Sequence, residues 1–489
     1  MHDKLKPDQI IEFVRRFADR DEIPLGELGR ACRIAIGGET ADDQDVLKIM
    51  VVVAALIRQQ RGIKGPLPPP VALVRKKRSK GVDWLAQKTW LGGLPTLGGQ
   101  DWPRGRVGQP LHHIARIDLA EVHLAAPELP LPSSGVLSFF FTETDSGSDG
   151  AVSFSPPGDL AKTPPPSDLP PAYEENGYPF PTEGVPGTSR CFPYWPLEAI
   201  KLDLPASLPA PSMDDNSNRL IWDAQLSALH AHFPDRRYDF GVETARSAGV
   251  DGASKLWWYG AFLMHQRLAF GRDKLADSCR RIEALLVESR QSLADLDRSK
   301  PDNARDVERR ERMITTNEAN LAELQRIASE VGPFAEEFTA FLSGHDPWDE
   351  LENNELEKLE EYRVRLQKEH RRAYHGNPPF SLDAIRNLSV ERLFIEKDDL
   401  FERLPDDLVK FINDRYRTPT RSFHHMFGLG VDVQEAPYRH LGDHLLLQIV
   451  YDSLVQMKFG DVGAIQFWVS AEDLAAQRWD KVRMTFEGH

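Results

Sequence analysis

Apolar positions along the chain keep different periods, and the changes between them divide it. In the first 65 residues Ile10, Phe13, Val14 and Phe17 recur at helical spacing. The run "VLKIMVVVAALI" (46–57) follows Asp42, Asp43 and Asp45, acids that suit a helix N-terminus. This second helix is apolar nearly all round, which predicts burial by its neighbours. "GPLPPP" (65–70) then stops helix and sheet alike and reads as a linker. From Pro110 the pattern is strand-like: "HHIARIDLAEVHL" partly alternates, and "GVLSFFF" (135–141) is a compact aromatic run after the turn "LPSS". Residues 145–190 are rich in Pro, Gly and Ser and read as a surface excursion.

The segment from about 272 to 375 has a different period. Leu275, Cys279, Ile282, Leu286, Ser289, Leu293 and Leu296 fall at alternating four- and three-residue steps. After "DRSKPDNARD", Val307, Ile314, Leu321, Leu324, Ala328 and Val331 continue such a stripe, with Arg310 and Asn317 at the remaining positions. A seam of that period predicts two helices packed like a coiled coil, most simply as an antiparallel hairpin. "ENNELEKLEEYRVRLQKEHRRAY" adds a third helix, whose charges read as a solvated face. The last 110 residues return to mixed structure, with a helix break at Leu404-Pro405 and a Gly-Asp-x-Gly turn at 460–463.

The two ends echo each other. Ile117-Asp118 followed by Gly135-Val136-Leu137-Ser138-Phe139-Phe140 sits beside Ile449-Val450 followed by Gly463-Ala464-Ile465-Gln466-Phe467-Trp468. Each is an apolar strand, a turn, then Gly and an aromatic-ended strand, which suggests two related β-rich halves around a helical insertion. The predicted fold class is α+β: a duplicated β-rich unit with a helical N-terminal domain (1–65) and an inserted helical hairpin (271–378). The halves occupy 66–270 and 379–489.

The same stretches carry a family resemblance. "LGGLP", "DWPR", "PLHHIARIDL", "LPSSGVLSFFF", "HHMFGLGVDVQ", "HLLLQIVYD" and "FGDVGAIQFWVSAEDLAAQRWDKV", in that order, resemble the YwqG-like family, a bacterial domain of unknown function. The likeness covers roughly 90–145 and 420–489 well and 190–270 faintly. It implies an α+β fold with a duplicated β-rich unit, and it supplies no catalytic residue or cofactor. Some members are encoded near toxin and immunity loci, which implies a protein-binding role.

Charge and cysteine usage narrow the function classes. The net charge of −15 argues against nucleic acid and anionic membranes, which reward excess Lys and Arg, and suits a basic protein partner better. Cys32, Cys191 and Cys279 are far apart and odd in number, poor material for disulfides or a thiolate metal site, and fit a reducing cytoplasm. The N-terminal stretch has no apolar core of a signal peptide, and the longest apolar run is too short to span a bilayer.

Chemistry finds little purchase. The glycines of "LGGLPTLGGQDWPRGRVGQP" form neither phosphate-loop pattern, lead into strand rather than helix, and include Pro95, Pro103 and Pro110, which donate no N–H; they read as turns. His112-His113, His424-His425, His440 and His444 gather in the two β-rich parts, yet no zinc motif spaces them, and adjacent histidines in a strand point to opposite faces. Asp461, between glycines, reads as a turn residue. No catalytic residue, metal or cofactor is assigned. Trp102, His112, His113, His424, His425, Gln434 and Asp461 form the candidate binding set, and Leu286, Leu293, Ile314 and Leu321 the interaction seam. The leading expectation is a non-enzymatic cytoplasmic interaction protein, tied to toxin neutralisation or a toxin locus. The alternative is a metal-dependent hydrolase or transferase using histidines of the two halves.

Overall fold

A computed structural model describes residues 12, 25–36, 38, 41–50, 53, 67–144, 147–158, 160–174, 188–212, 215–234, 248–296, 303–395, 398–418, 422–434, 436–452, 454–460 and 462–488. The fold is α+β, and the chain divides into two compact units. The first takes residues 1–183, 188–240 and 409–489; the second takes 241–408 with 184–187.

The first unit is built on one ten-stranded antiparallel sheet. Its strands are β1 (Val71–Arg75), β2 (Trp90–Leu91), β3 (His112–Asp118), β4 (Val136–Thr144) and β5 (Gly147–Ser155). A separate small pair, β6 (Tyr173–Glu174) and β7 (Thr188–Ser189), precedes β8 (Trp195–Lys201). The C-terminal part adds β9 (His425–Met426), β10 (Asp443–Val450), β11 (Ala464–Ser470) and β12 (Arg483–Glu487). The spatial order is β12-β11-β10-β9-β1-β8-β2-β3-β4-β5. It reads alike from either edge: two long outer strands, a third, then a two-residue strand against the central β1–β8 pair. Each third strand carries one bulge, at Ile114 in β3 and at Leu446 in β10. The register repeats as well: Ile117 faces Leu137 and Ala115 faces Phe139, while Ile449 faces Ile465 and Leu447 faces Phe467.

Strands β3, β4, β10 and β11 are buried along nearly their whole length, so they read as apolar runs rather than clean alternation. One side of β1 and β8 is covered by Trp222, Leu226 and Leu229 of the helix Asp215–His232, which pack on Ala72, Val74, Ile200 and Phe423. Elsewhere the two ends of the sheet curl together. Phe139 meets Phe467, Phe141 meets Phe459 and Phe486, and Met484 lies where a side chain on Gly150 would stand. Strand β5 opens inside the Pro-, Gly- and Ser-rich stretch, because its small residues let an outer strand lie against β4 while Gly150 admits Met484. The strand-like reading of "HHIARIDLAEVHL" ends at Asp118, whose carboxylate accepts from the Ala120 and Glu121 N–H groups and starts the helix Leu119–Ala125.

Near the N-terminus, Leu28 and Cys32 of the helix Leu25–Ile36 pack against Val46, Ile49 and Val53. Leu47 is 61% exposed, so the apolar second helix is not buried on every side.

The second unit is helical. We label its main helices α1 (Trp258–Ala294), α2 (Ala304–Leu342), α3 (Asn353–Lys368) and α4 (Leu382–Ile395). The pair α1–α2 is antiparallel, with Arg290 bonded to Glu318 at 2.6 Å and Gln325 to Glu283 at 3.2 Å. Helix α3 opens with a capping box between Glu352 and Glu355. Trp258, Met264, Phe334, Phe338, Tyr362 and Ile385 share the core that joins the base of the pair to α3 and α4. Trp257 and Trp258 are buried.

Candidate functional site

The adjacent histidines do separate across the strand. His113 donates from Nδ1 to Gly92 O at 2.9 Å and packs edge-on to Phe140. His112 donates from Nε2 to Pro170 O at 3.0 Å and meets Phe192 on the other side. Trp102 donates to Leu111 O at 2.7 Å and packs on Phe140, so Trp102 and His113 flank one ring. The glycine-rich entry supplies the turn that makes this possible. Gly92 and Gly93 have φ of +58° and +56°, and Gly92 N–H donates to the bulge carbonyl of Ile114 at 2.9 Å.

The second pair is held at least as firmly. His424 Nδ1 accepts from Val450 N–H at 3.2 Å, so Nε2 carries the proton and donates to Asp452 at 3.1 Å. Asp452 is ion-paired with Arg75, and all three side chains are buried. Burial alone would raise the Asp452 carboxyl; the Arg75 charge and the His424 bond outweigh it and hold it well below the usual carboxylate range. His425 Nε2 lies 3.1 Å from Leu429 O, while its Nδ1 lies 3.1 Å from Phe423 O and 3.3 Å from the Gln448 amide, so the ring donates to one of the two carbonyls. Burial pushes His112, His113 and His425 each down to about 4, so all three are neutral at pH 7. His424 is lowered too, by burial, against the pull of Asp452.

The chemical consequence follows from counting nitrogens. His424 uses one nitrogen as donor and the other as acceptor within the fold, so it has no lone pair left for a metal or a proton transfer. Both nitrogens of His425 are within bonding distance of groups in the fold. His440 stacks on Trp468 at 5.0 Å and bonds Asp443, and His444 lies in β10 against Phe427, so these two do not share a helical face. Among the described residues no group of three or more His, Cys, Asp or Glu side chains is placed to hold a metal ion. Gln434 is exposed, its N–H donating to Glu487 at 2.7 Å. Asp461 lies outside the described residues.

Two features among the described residues are surfaces that a ligand or partner can reach. The first escaped the sequence reading: a cleft of about 440 Å³ lined by Trp90, Thr96, Arg116, Ser134, Leu160 and Lys162, among others. Its cations come from separate strands and loops, and no local motif announces them.

The second is the helical pair. Leu275, Leu286, Ser289 and Ile314 are buried and Cys279, Ile282, Leu293, Leu296, Val307 and Leu321 half-buried. The seam departs from expectation at one place: Ile327 is buried and Ala328 exposed. The larger side chain takes the inward position where the pair meets the base core. That core ends at Leu275 on α1 and Leu324 on α2. Beyond it, toward the connection, Leu286 and Ile314 lie along the seam, and Arg290–Glu318 and Arg310–Ser292 bind helix to helix. Leu285 (50% exposed), Val287 (68%) and Met313 (45%) stand on the outer surface.

Comparison with known proteins adds a family. No curated protein matches the chain. A family model described as a domain of unknown function, DUF1963, matches residues 89–157 and 310–487. The matched segments hold β3, both histidine pairs and β9 to β12, together with most of α2. They span just over half of the 489 residues, and the chain therefore belongs to the DUF1963 family.

Proposed function

We propose that the chain is a non-enzymatic protein-binding protein of the bacterial cytoplasm, of the YwqG-like kind, acting as an immunity or accessory factor of a toxin locus. One observation carries this reading. The outer part of α1–α2, beyond Leu275 and Leu324, is a two-helix arm closed on its own seam, with Leu285, Val287 and Met313 turned outward. Isolated helical pairs gain little stability from propensity alone, so an arm of this length is better explained by a partner laid along it than by the needs of the core. The β-rich body supports the same reading from the other side. A metal at His424 would require it to surrender its bonds to Asp452 and to the Val450 N–H. The matched registers of β3–β4 and β10–β11 support an internal duplication of the body.

Photo-crosslinking in the producing cell tests the proposal. A photoreactive side chain at Val287 should yield one discrete adduct, and the same group at Leu124, 86% exposed on the body, should not. Replacing Leu286, Leu293, Ile314 and Leu321 by Asp should open the arm and abolish the adduct. Absence of an adduct at Val287, or an adduct that survives the opened seam, would sink the reading. An equivalent of metal in protein purified without a His-tag would favour the hydrolase instead.

A further inference from the structure

The cleft at Trp90 is lined by more cations than carboxylates. Lys88, Arg116 and Lys162 line it against a single carboxylate among the described lining residues, Asp118, whose oxygen already caps a helix. Arg116 is only 7% exposed. Its Nε donates to Thr96 Oγ1 at 2.8 Å, its Nη1 donates to Lys88 O, and its guanidinium carbon lies 4.5 Å from the centre of the Trp90 ring. These contacts fix the fork while leaving Nη2 without a hydrogen-bond partner among the described residues.

Lys162 completes the arrangement from the facing loop. Its ammonium stands 5.4 Å from the Trp90 ring and 4.9 Å from the Tyr194 ring. Aromatic faces hold a cation in place but leave its N–H donors unspent, since a ring offers no lone pair in the plane of the bond. Two fixed cations on one indole, with donors open toward a cavity of about 440 Å³, make a receptor for a negatively charged oxygen group. Leu160, Pro157 and the Trp90 ring add an apolar wall, and the volume is that of a small-molecule site.

We infer that this cleft binds a small organic anion, its carboxylate or phosphoryl oxygens on Arg116 and Lys162 and its apolar part against Trp90 and Leu160. The site is independent of the helical arm. The anion's two chemical sources share the same recognition, and the choice of probe separates them.

The test uses the full chain labelled with 5-fluorotryptophan, the Trp90 resonance being assigned by its loss in Trp90→Phe. Benzoate and phenyl phosphate are titrated separately, with benzyl alcohol as the neutral control. One or both anions should shift the Trp90 signal saturably while benzyl alcohol does not, and the tighter of the two names the oxyanion. Lys162→Glu, at an exposed position, should weaken that binding by about tenfold or more, and Lys162→Arg should largely retain it. Arg116→Gln should abolish binding; if that variant does not fold, the Lys162 series alone decides. No saturable shift with either anion, equal binding of benzyl alcohol, or unchanged affinity in Lys162→Glu overturns the inference.

Discussion

Phe139 and Phe467 meet edge to face, their ring centroids 5.1 Å apart at 68°, from the same register position in the two ends of the sheet. Phe139 faces Ala115 and Phe467 faces Leu447, each just past the bulge. Both rings are fully buried. Truncating either to Ala should cost about 3–5 kcal/mol, and the double variant should show a coupling of about 0.5–1.5 kcal/mol beyond lost burial. A double-mutant cycle by urea unfolding checks this; strict additivity would mean the sheet ends do not lean on each other.

Acid should weaken the body before its carboxylates titrate. Histidine in an unfolded chain takes a proton near ~6.5, whereas His112, His113 and His425 stay neutral in the fold down to about 4. The unfolded state therefore binds more protons in that interval, so stability is full above it and falls as pH drops from ~6.5 toward 4. Each imidazole contributes on the order of 3 kcal/mol to that decline. Urea midpoints measured across the interval should show it, and His425→Gln should flatten part of the slope. A slope identical to the parent's would mean that His425 titrates freely.

The Arg75–Asp452 pair should be far more sensitive to losing one member than both. Asp452→Asn leaves a buried guanidinium uncompensated and should cost about 3–5 kcal/mol. Replacing both, as Arg75→Met with Asp452→Leu, should cost less than that single change. Thermal unfolding of the three proteins checks the order, and a double variant worse than the single would refute the electrostatic account.

Glycines at positive φ should divide by what surrounds them. A Cβ on Gly92 would stand 2.1 Å from Pro193 O, so Gly92→Ala should cost about 3 kcal/mol or more. Gly99 has φ +87° but open space, so Gly99→Ala should cost only the left-handed penalty of about 1–2 kcal/mol. Chemical denaturation compares the two, and equal losses would show that backbone strain alone governs the turn.

What could be read in the sequence was whatever repeats at short range. The stripe from Val307 to Val331 follows the return of one face with each helical turn, and it misplaced Ala328, because Ile327 takes the inward position where the pair meets the base core. The motifs from Gly135 and from Gly463 were legible as strands because each is a short apolar, aromatic-ended run after a glycine turn. The glycine-rich entry was legible as a turn because its chemistry is local. The cleft was not: Trp90, Arg116 and Tyr194 are brought together by the pairing of β2 with β3 and β8, and Lys162 by the loop whose Thr163 N–H donates to Pro95 O. Nor was the fate of the histidines, since Asp452 reaches His424 only after β10 has been laid beside β9. Residue type proposed a metal, and partners far along the chain committed both nitrogens of His424 elsewhere.

Strand β1 pairs with β8 on one side and with β9, through Val71–Met426 and Ala72–His425, on the other. Synthesis delivers β1 early and its second neighbour only after the whole helical unit has emerged. Until then a nascent chain carries a half-built sheet whose open border is Val-Ala-Leu-Val, an apolar template for any stray strand. The helical unit, made of near-sequence contacts, is able to form in that interval, but the border stays open until His425 arrives. Growth of the chain is thus the period in which that border is exposed, and only the arrival of His425 and Met426 closes it.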